Sequence, residues 1–171
     1  KVALPEIIAD SFWQFAPEVV LAGSLDSSID GGVNIASFLQ NFDFDRIDSL
    51  VIGPGIGRSE EHWSDISSLL ESFEGLIVFD ADALNRISNS DEGWEWFLKR
   101  KGKTVITPHI FEFKSLFNHI DCTCPLSAAI EAAISSGVGV LLKGAHSVFA
   151  SPSGEAWQLG ESAPWVARSG L

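Results

Sequence analysis

Four short apolar runs, each separated from the next by an amphipathic stretch, constrain this chain more than any other feature. They are Ser49-Leu50-Val51-Ile52, Leu76-Ile77-Val78-Phe79, Thr104-Val105-Ile106 and residues 138–142. A strand apolar on both faces is what a parallel sheet covered by helices demands, whereas a sheet with one wet face alternates. Parallel neighbours also need crossovers, and the intervening segments supply them as helices. Trp63, Ile66, Leu69, Leu70 and Phe73 form one apolar stripe, with Ser59 as N-cap and Glu60 and Glu61 at the positive end of the helix dipole. Asp91 and Glu92 open another helix, with Trp94, Phe97 and Leu98 on its buried face and Lys99, Arg100 and Lys101 closing it. Residues 112–117 read as a short helix, and residues 127–136 as an alanine-rich one stopped by Gly137. Upstream, Val2-Ala3-Leu4 and Val19-Val20-Leu21-Ala22 read as strands around a helix over residues 6–14. Ile35, Phe38 and Leu39 share a helical face after a turn at Asp30-Gly31-Gly32. Residues 147–150 and 155–159 read as a hairpin around Pro152-Ser153-Gly154. The pattern predicts an open α/β fold with a mostly parallel central sheet.

At 171 residues the chain is expected to form a single domain over 1–171 with a sizeable core. Eleven basic against 23 acidic residues give a net charge of −12, which argues against a nucleic-acid backbone or an anionic membrane surface as partner. No apolar run is long enough to cross a bilayer and no signal peptide opens the chain, so a cytoplasmic protein is expected. Twelve Phe and six Trp are too many apolar anchors for a disordered acidic tail. Cys122 and Cys124 cannot staple a domain of this length and lack the further ligands of a tetrahedral metal site, so they read as ordinary thiols. His62 and His119 read as surface residues, and Asp43, Asp45 and Asp48 as a solvated approach to a strand. Met and Tyr are absent, the first residue is Lys1, and residues 167–171 stop inside a glycine-containing loop, so a piece of a longer protein is expected.

In an open α/β sheet, ligands sit at the carboxyl ends of the strands, and four strand ends here carry chemistry. Gly53-Pro54-Gly55-Ile56-Gly57 would let backbone amides approach an anionic or flat ligand, or would be a plain strand-to-helix turn. Asp80-Ala81-Asp82-Ala83-Leu84-Asn85 brings two carboxylates and an amide to a strand mouth, for a metal-phosphate unit or hydroxyls, unless Asp82 only caps the next helix. In Thr107-Pro108-His109, Pro108 fixes the backbone and aims His109 out of the sheet, with Glu112 three residues on. Leu142-Lys143-Gly144-Ala145-His146-Ser147 offers a cation and a hydroxyl to a phosphate or ribose, or is a tight turn between two strands.

Taken in order, Ile52-Gly53-Pro54-Gly55-Ile56-Gly57, Asp80-Ala81-Asp82-Ala83-Leu84-Asn85, Thr107-Pro108-His109 with Glu112-Phe113, and Leu142-Lys143-Gly144-Ala145 resemble the ADP- or ATP-dependent NAD(P)H-hydrate dehydratases. Pro17-Glu18-Val19-Val20 is similar to the family's early segment, and the spacing fits over essentially all 171 residues. The resemblance implies a ribokinase-like three-layer αβα sandwich with a mostly parallel sheet, incomplete at both termini. It implies a repair reaction in which hydrated NADH or NADPH is returned to NAD(P)H, its ring hydroxyl being phosphorylated by ADP or ATP with Mg²⁺ and then lost as phosphate.

By the same resemblance, Gly55 and His109 contact the hydrated nicotinamide, and Asp80 and Asn85 line that cleft. Lys143, Gly144, Ala145, His146 and Ser147, with Gly170, hold the nucleotide, and Glu112 stands near metal and phosphates. The family's Gly-Asp pair, which carries the base, is led into by Pro164, Ala167 and Gly170, and the sequence stops at Leu171 one residue short. No catalytic residue is therefore expected within the 171 residues, and the chain alone is expected to be inactive. A first strand and a glycine-rich segment before Val2 are expected in the longer protein. Two alternatives stay open: a vitamin-precursor or sugar kinase on the same fold, and a non-catalytic nucleotide-binding homologue. Trp13 and Trp165 are candidate positions for an interface between copies, and an epimerase domain precedes this one in bifunctional members.

Overall fold

Three of the four apolar runs pair as their two-faced character requires, whereas the first, Ser49–Ile52, lies at the end of the sheet and leaves Val51 67% exposed. The structure, a computed structural model, describes residues 1–27, 31–57 and 62–160. Strands β4 (Ser49–Ile52), β5 (Leu76–Phe79), β6 (Thr104–Ile106) and β7 (Gly139–Leu142) lie side by side and parallel, and β8 (Val148–Ala150) and β9 (Ala156–Gln158) extend the sheet antiparallel. Ile52 stands beside Phe79, Phe79 beside Ile106, and Ile106 beside Val140. This register gathers the loops that begin at Gly53, Asp80, Thr107 and Lys143 at one edge of the sheet. The hairpin of β8 and β9 turns where the sequence places it, with Gly154 at φ 85°.

Helices cover the sheet: α3 (Trp63–Glu71), α4 (Asp82–Ser88), α5 (Ile110–Leu116) and α6 (Pro125–Ser136). Helix α6 has Pro125 in its first turn and ends at Gly137 in the left-handed region, as expected of those residues. Its buried face is Ala128, Ala129, Ala132 and Ala133, small enough for the helix to lie close on β7 and β8. Around Phe79 and Ile77 the core holds Trp63, Trp96 and Phe97, with Trp63 and Trp96 packed edge-to-face at 4.8 Å. Among the described residues no helix is long and apolar enough to cross a membrane.

Several local expectations are corrected. The early strands form a sheet of their own, in which β1 (Val2–Pro5) runs parallel to β2 (Leu21–Ser27) and β3 (Val33–Asn34) antiparallel to it. Strand β2 starts at Leu21, leaving Val20 exposed. Between β1 and β2 lies α1 (Glu6–Phe12), and α2 (Ala36–Gln40) follows β3, burying Leu39. Helix α3 begins at Trp63 under a capping box made by His62 and Asp65; Ser59 lies outside the described residues. Asp43 caps a one-turn 3-10 helix, Phe44–Arg46, by accepting from the Asp45 amide at 3.1 Å.

The segment Gly93–Lys99 is 3-10 rather than α. Its period of three turns Trp96 inward and leaves Leu98 59% exposed, against the helical reading of that face. Arg100 does not close the helix in solvent. It is buried, and its guanidinium donates to the carbonyls of Leu70, Gly75 and Lys103 and to Thr104 Oγ1 at 2.9 Å. Burial pushes that guanidinium down to about 10. Removing it leaves several buried acceptors without a donor, so Arg100→Leu is expected to lower stability by roughly 3 kcal/mol. Urea unfolding checks this, as a lower midpoint at unchanged slope.

Candidate active site

The strand ends converge because one glycine lets them. Gly53 has φ 129°, and a Cβ there would stand 1.7 Å from the carbonyl oxygen of Asp80. The close approach allows Asp80 N–H to donate to the Ile52 carbonyl at 3.1 Å, carrying the pairing of β4 and β5 one step past the strands. Immediately after, Ala81 adopts φ 48°, ψ −121°, a conformation costing a side-chain-bearing residue roughly 1–3 kcal/mol. The kink separates the two carboxylates of the Asp80-Ala81-Asp82 string. Asp82 Oδ2 accepts from the Gly57 amide at 2.8 Å. Asp80 Oδ1 receives the Lys143 ammonium at 2.6 Å.

Asp80 and Lys143 lie 63 residues apart in sequence and two strands apart in the sheet. Lys143 is placed by its own backbone, whose N–H donates to the Pro108 carbonyl at 2.8 Å while the residue bridges to His109. Burial alone would raise the Asp80 carboxyl. Hydrogen bonds from Lys143 and Thr107, with the lysine charge, outweigh it and hold the group below the usual carboxylate range.

His109 and Glu112 form the N-terminal capping box of α5. Nδ1 of His109 accepts from the amides of Phe111 (3.0 Å) and Glu112 (3.2 Å), which puts the ring proton on Nε2. Nε2 stands 3.4 Å from Glu112 Oε1, and Glu112 Oε2 accepts from the His109 amide at 2.8 Å. Glu112 is buried while the His109 side chain is 49% exposed, so the ring is held from behind and open in front.

The segment from Lys143 to β8 is a tight turn. Gly144 N–H donates to Ser147 Oγ at 3.3 Å and the Ser147 hydroxyl donates back to the Gly144 carbonyl at 3.2 Å. Gly144, Ala145 and His146 are exposed at its tip.

The residues singled out from the sequence therefore do not form one cluster. Asp80, His109, Glu112 and Lys143 come together, and Gly144, Ala145, His146 and Ser147 continue from Lys143. Asn85 lies elsewhere, lining a polar cavity of about 770 Å³ with Gly57, His62, Asp82 and Arg86. Gly55 is exposed in the preceding loop with φ 75° and open space where a Cβ would stand. Gly170 lies outside the described residues, as do Pro164, Trp165 and Ala167. Among the described residues no three His, Cys, Asp or Glu side chains converge as a metal cage.

Sequence reasoning missed Arg86, whose guanidinium donates to the carbonyls of Val33 (2.9 Å), Ile56 (3.0 Å) and Gly57 (3.2 Å). Its one local signal is its place four residues after Asp82 on the same helix, which also reads as a solvated charge pair.

Residues 17–171 match the family model described as NAD(P)H-hydrate dehydratase. The bifunctional NAD(P)H-hydrate repair enzyme Nnr of Gloeobacter violaceus is 36% identical over 169 residues, covering 99% of this chain and 32% of that protein. The chain thus spans about a third of that relative's length. The ADP/ATP-dependent NAD(P)H-hydrate dehydratase from Bacillus subtilis, solved with ATP/Mg²⁺, superposes with a TM-score of 0.69 at 20% identity, over 97% of this chain and 55% of that one. A ribokinase-like superfamily protein of Enterococcus faecalis gives 0.70 at 17% identity, over 99% and 55%. These two likenesses fix the fold as ribokinase-like.

Two glycine variants separate fold from ligand contact. Gly53→Ala drives a methyl group into the Asp80 carbonyl and is expected to cost more than about 3 kcal/mol, read as loss of cooperative unfolding. Gly55→Ala meets no atom, so it is expected to fold with a loss of roughly 1 kcal/mol from its positive φ, read from the urea midpoint. Asp80 gives a pH signature. A lowered carboxyl contributes stability above its unfolded value of about 3.9 and loses it as pH falls through the folded value. At pH 7 Asp80→Asn is expected to be less stable by about 1 kcal/mol, solvent screening included. The gap should shrink to nothing on acidification below about pH 4, as followed by denaturant midpoints across pH.

Proposed function

Since the chain belongs to the NAD(P)H-hydrate dehydratase family, we propose that the protein containing it returns hydrated NADH or NADPH to the reduced cofactor at the expense of a nucleotide phosphate. The observation that carries this reading is the Asp80–Lys143 pair at the mouth of the sheet, bounded by the exposed face of His109. Hydroxide is a poor leaving group and phosphate a good one, so transferring a phosphoryl group to the ring hydroxyl turns an unfavourable elimination into an accessible one. Lys143 supplies the positive charge that such a transfer needs close to the developing phosphate. The turn formed by Lys143, Gly144, Ala145, His146 and Ser147 supplies backbone amides beside it. His109 and Gly55 face the hydrated ring, and Asn85 belongs to the neighbouring polar cavity on the substrate side. The donor is ADP or ATP.

Magnesium is assigned to the nucleotide's own phosphates, since it retains water and binds through one or two carboxylates plus phosphate rather than a protein cage. Besides Asp80, which is held by Lys143, Glu112 is the carboxylate assigned to the metal at this edge, and because its oxygens face His109 it takes part only if the capping box opens. The wider expectations fit the same reading: one domain over residues 1–171, a cytoplasmic enzyme, and association of copies through surfaces such as that of Trp13, which is 47% exposed. A fused epimerase portion is consistent with relatives that are bifunctional and about three times as long.

The test uses the full-length protein with hydrated NADH, Mg²⁺ and either ADP or ATP, following the return of reduced-nicotinamide absorbance. Recovery with one of the nucleotides, reduced by at least about 100-fold in His109→Ala, is the expected result. Nucleotide binding with no recovery would overturn the reading in favour of a small-molecule kinase or a non-catalytic binding module.

A further inference from the structure

Hydrating a ring double bond places a hydroxyl on one carbon and a hydrogen on its neighbour, so repair must remove both. Phosphorylation deals only with the hydroxyl. A second group has to take the proton from the adjacent carbon, and we propose that Asp80 is that base; the inference rests on the dehydratase reading above.

Apart from His146, exposed at the tip of the turn beyond Lys143, the other acids and bases gathered at this edge are engaged in the fold. His109 Nδ1 already accepts two amide hydrogens, and Nε2 carries the ring proton against Glu112, so the neutral ring has no open acceptor. Glu112 is buried with one oxygen on the His109 amide. Asp82 is turned away to the Gly57 amide. Asp80 differs in what holds it. Its side chain is 28% exposed at the strand mouth, and its partner is a side chain that is itself mobile in principle, the 39% exposed Lys143.

The partner also supplies timing. With Lys143 at 2.6 Å the carboxylate is ionised and only weakly basic. A phosphoryl group on the ring hydroxyl is the stronger attraction for that ammonium. Once Lys143 turns to the phosphate, Asp80 loses the charge that suppressed its basicity, at the step in which a proton must be taken.

The elimination balances without a redox partner. The carbon–oxygen bond breaks and its electron pair leaves with phosphate. The neighbouring carbon–hydrogen bond breaks, its pair forms the ring double bond, and the proton passes to an Asp80 oxygen and then to water. The nucleotide has lost its terminal phosphoryl group, and the hydroxyl proton has gone to solvent during the transfer.

Rapid-quench measurements on the full-length protein separate the two halves by counting nucleotide cleaved and reduced nicotinamide restored in the first turnover. In Asp80→Asn, restoration is expected to slow at least about 30-fold more than cleavage does, so that nucleotide is cleaved without reduced nicotinamide returning. In Asp80→Ala, added formate is expected to bring restoration back without changing the rate of cleavage, which a role in placing Lys143 alone would not give. Cleavage and restoration falling together, with no rescue by formate, would overturn the proposal and make Asp80 a positioning residue for Lys143. Should Asp80→Asn fail to fold, Asp80→Glu decides between the same outcomes, since it keeps a carboxylate for the lysine but displaces it from the ring. Failure of the wild-type protein to restore any reduced nicotinamide shows before a variant is made, and it removes the dehydratase reading together with this one.

Discussion

The contact on which the site depends is the approach of the Gly53 backbone to the Asp80 carbonyl. No residue with a side chain fits there, because a Cβ would stand 1.7 Å from the oxygen. This contact holds the ends of β4 and β5 in register beyond the last residues of either strand, and the chain has to leave Asp80 through the strained conformation of Ala81. The strain is sustained because the neighbours over-determine it. Asp80 N–H is taken by Ile52, its carbonyl accepts from Ala83, and its side chain is held by Lys143. A carboxylate fixed in this way faces the next strand ends rather than solvent, which is why Lys143, reaching across β6, meets it at all.

Two arginines do for the scaffold what this contact does for the site. Arg86 gathers the carbonyls of Val33, Ile56 and Gly57, and so ties the small sheet of β1, β2 and β3 to the helix that follows Asp80. Arg100 gathers those of Leu70, Gly75 and Lys103 below the opposite ends of the strands. Loops that cross a sheet edge leave carbonyls facing inward, and each would carry a desolvation penalty of about 1–3 kcal/mol if unpaired. A guanidinium, with five donors in a fixed fork, satisfies several at once where a lysine would satisfy fewer and lose more rotamer freedom.

The parts of this arrangement that were legible in the sequence are those set by local pattern. Strands β4, β5, β6 and β7 read directly, since a run apolar on both faces has few other uses, and Gly137 and Gly154 sit where their turns need them. The strand ends could be named as chemistry before any pairing was known. What could not be read is what depends on distance. Nothing in Asp80 or Lys143 announces a partner 63 residues away, and Arg86 and Arg100 look like ordinary surface charges until the carbonyls beneath them are counted. The segment Gly93–Lys99 misleads for a different reason. Its aromatic residues lie at spacings of two and one, which both a period of 3.6 and a period of three accommodate, and packing of Trp96 against Trp63 and Phe79 decides between them. The separate early sheet was hidden because strand pairing, unlike strand formation, leaves little trace in a single sequence.

His109 shows how one residue satisfies both fold and site. Its Nδ1 and main-chain amide close the start of α5, and this is why the ring is fixed rather than free to rotate about the strand end. A ring fixed at its back presents a face and an edge to whatever occupies the cleft, and gives orientation without exchanging protons. Ser147 and Gly144 work on the same principle, because the hydroxyl and the amide that would meet a phosphate already close the turn on each other. An incoming anion would therefore replace existing bonds rather than satisfy empty ones, and the net gain lies in its charge against Lys143. On that argument affinity at this edge is electrostatic first and hydrogen-bonded second, and it is the Asp80 carboxylate, competing for the same ammonium, that sets how strongly an anion must pull.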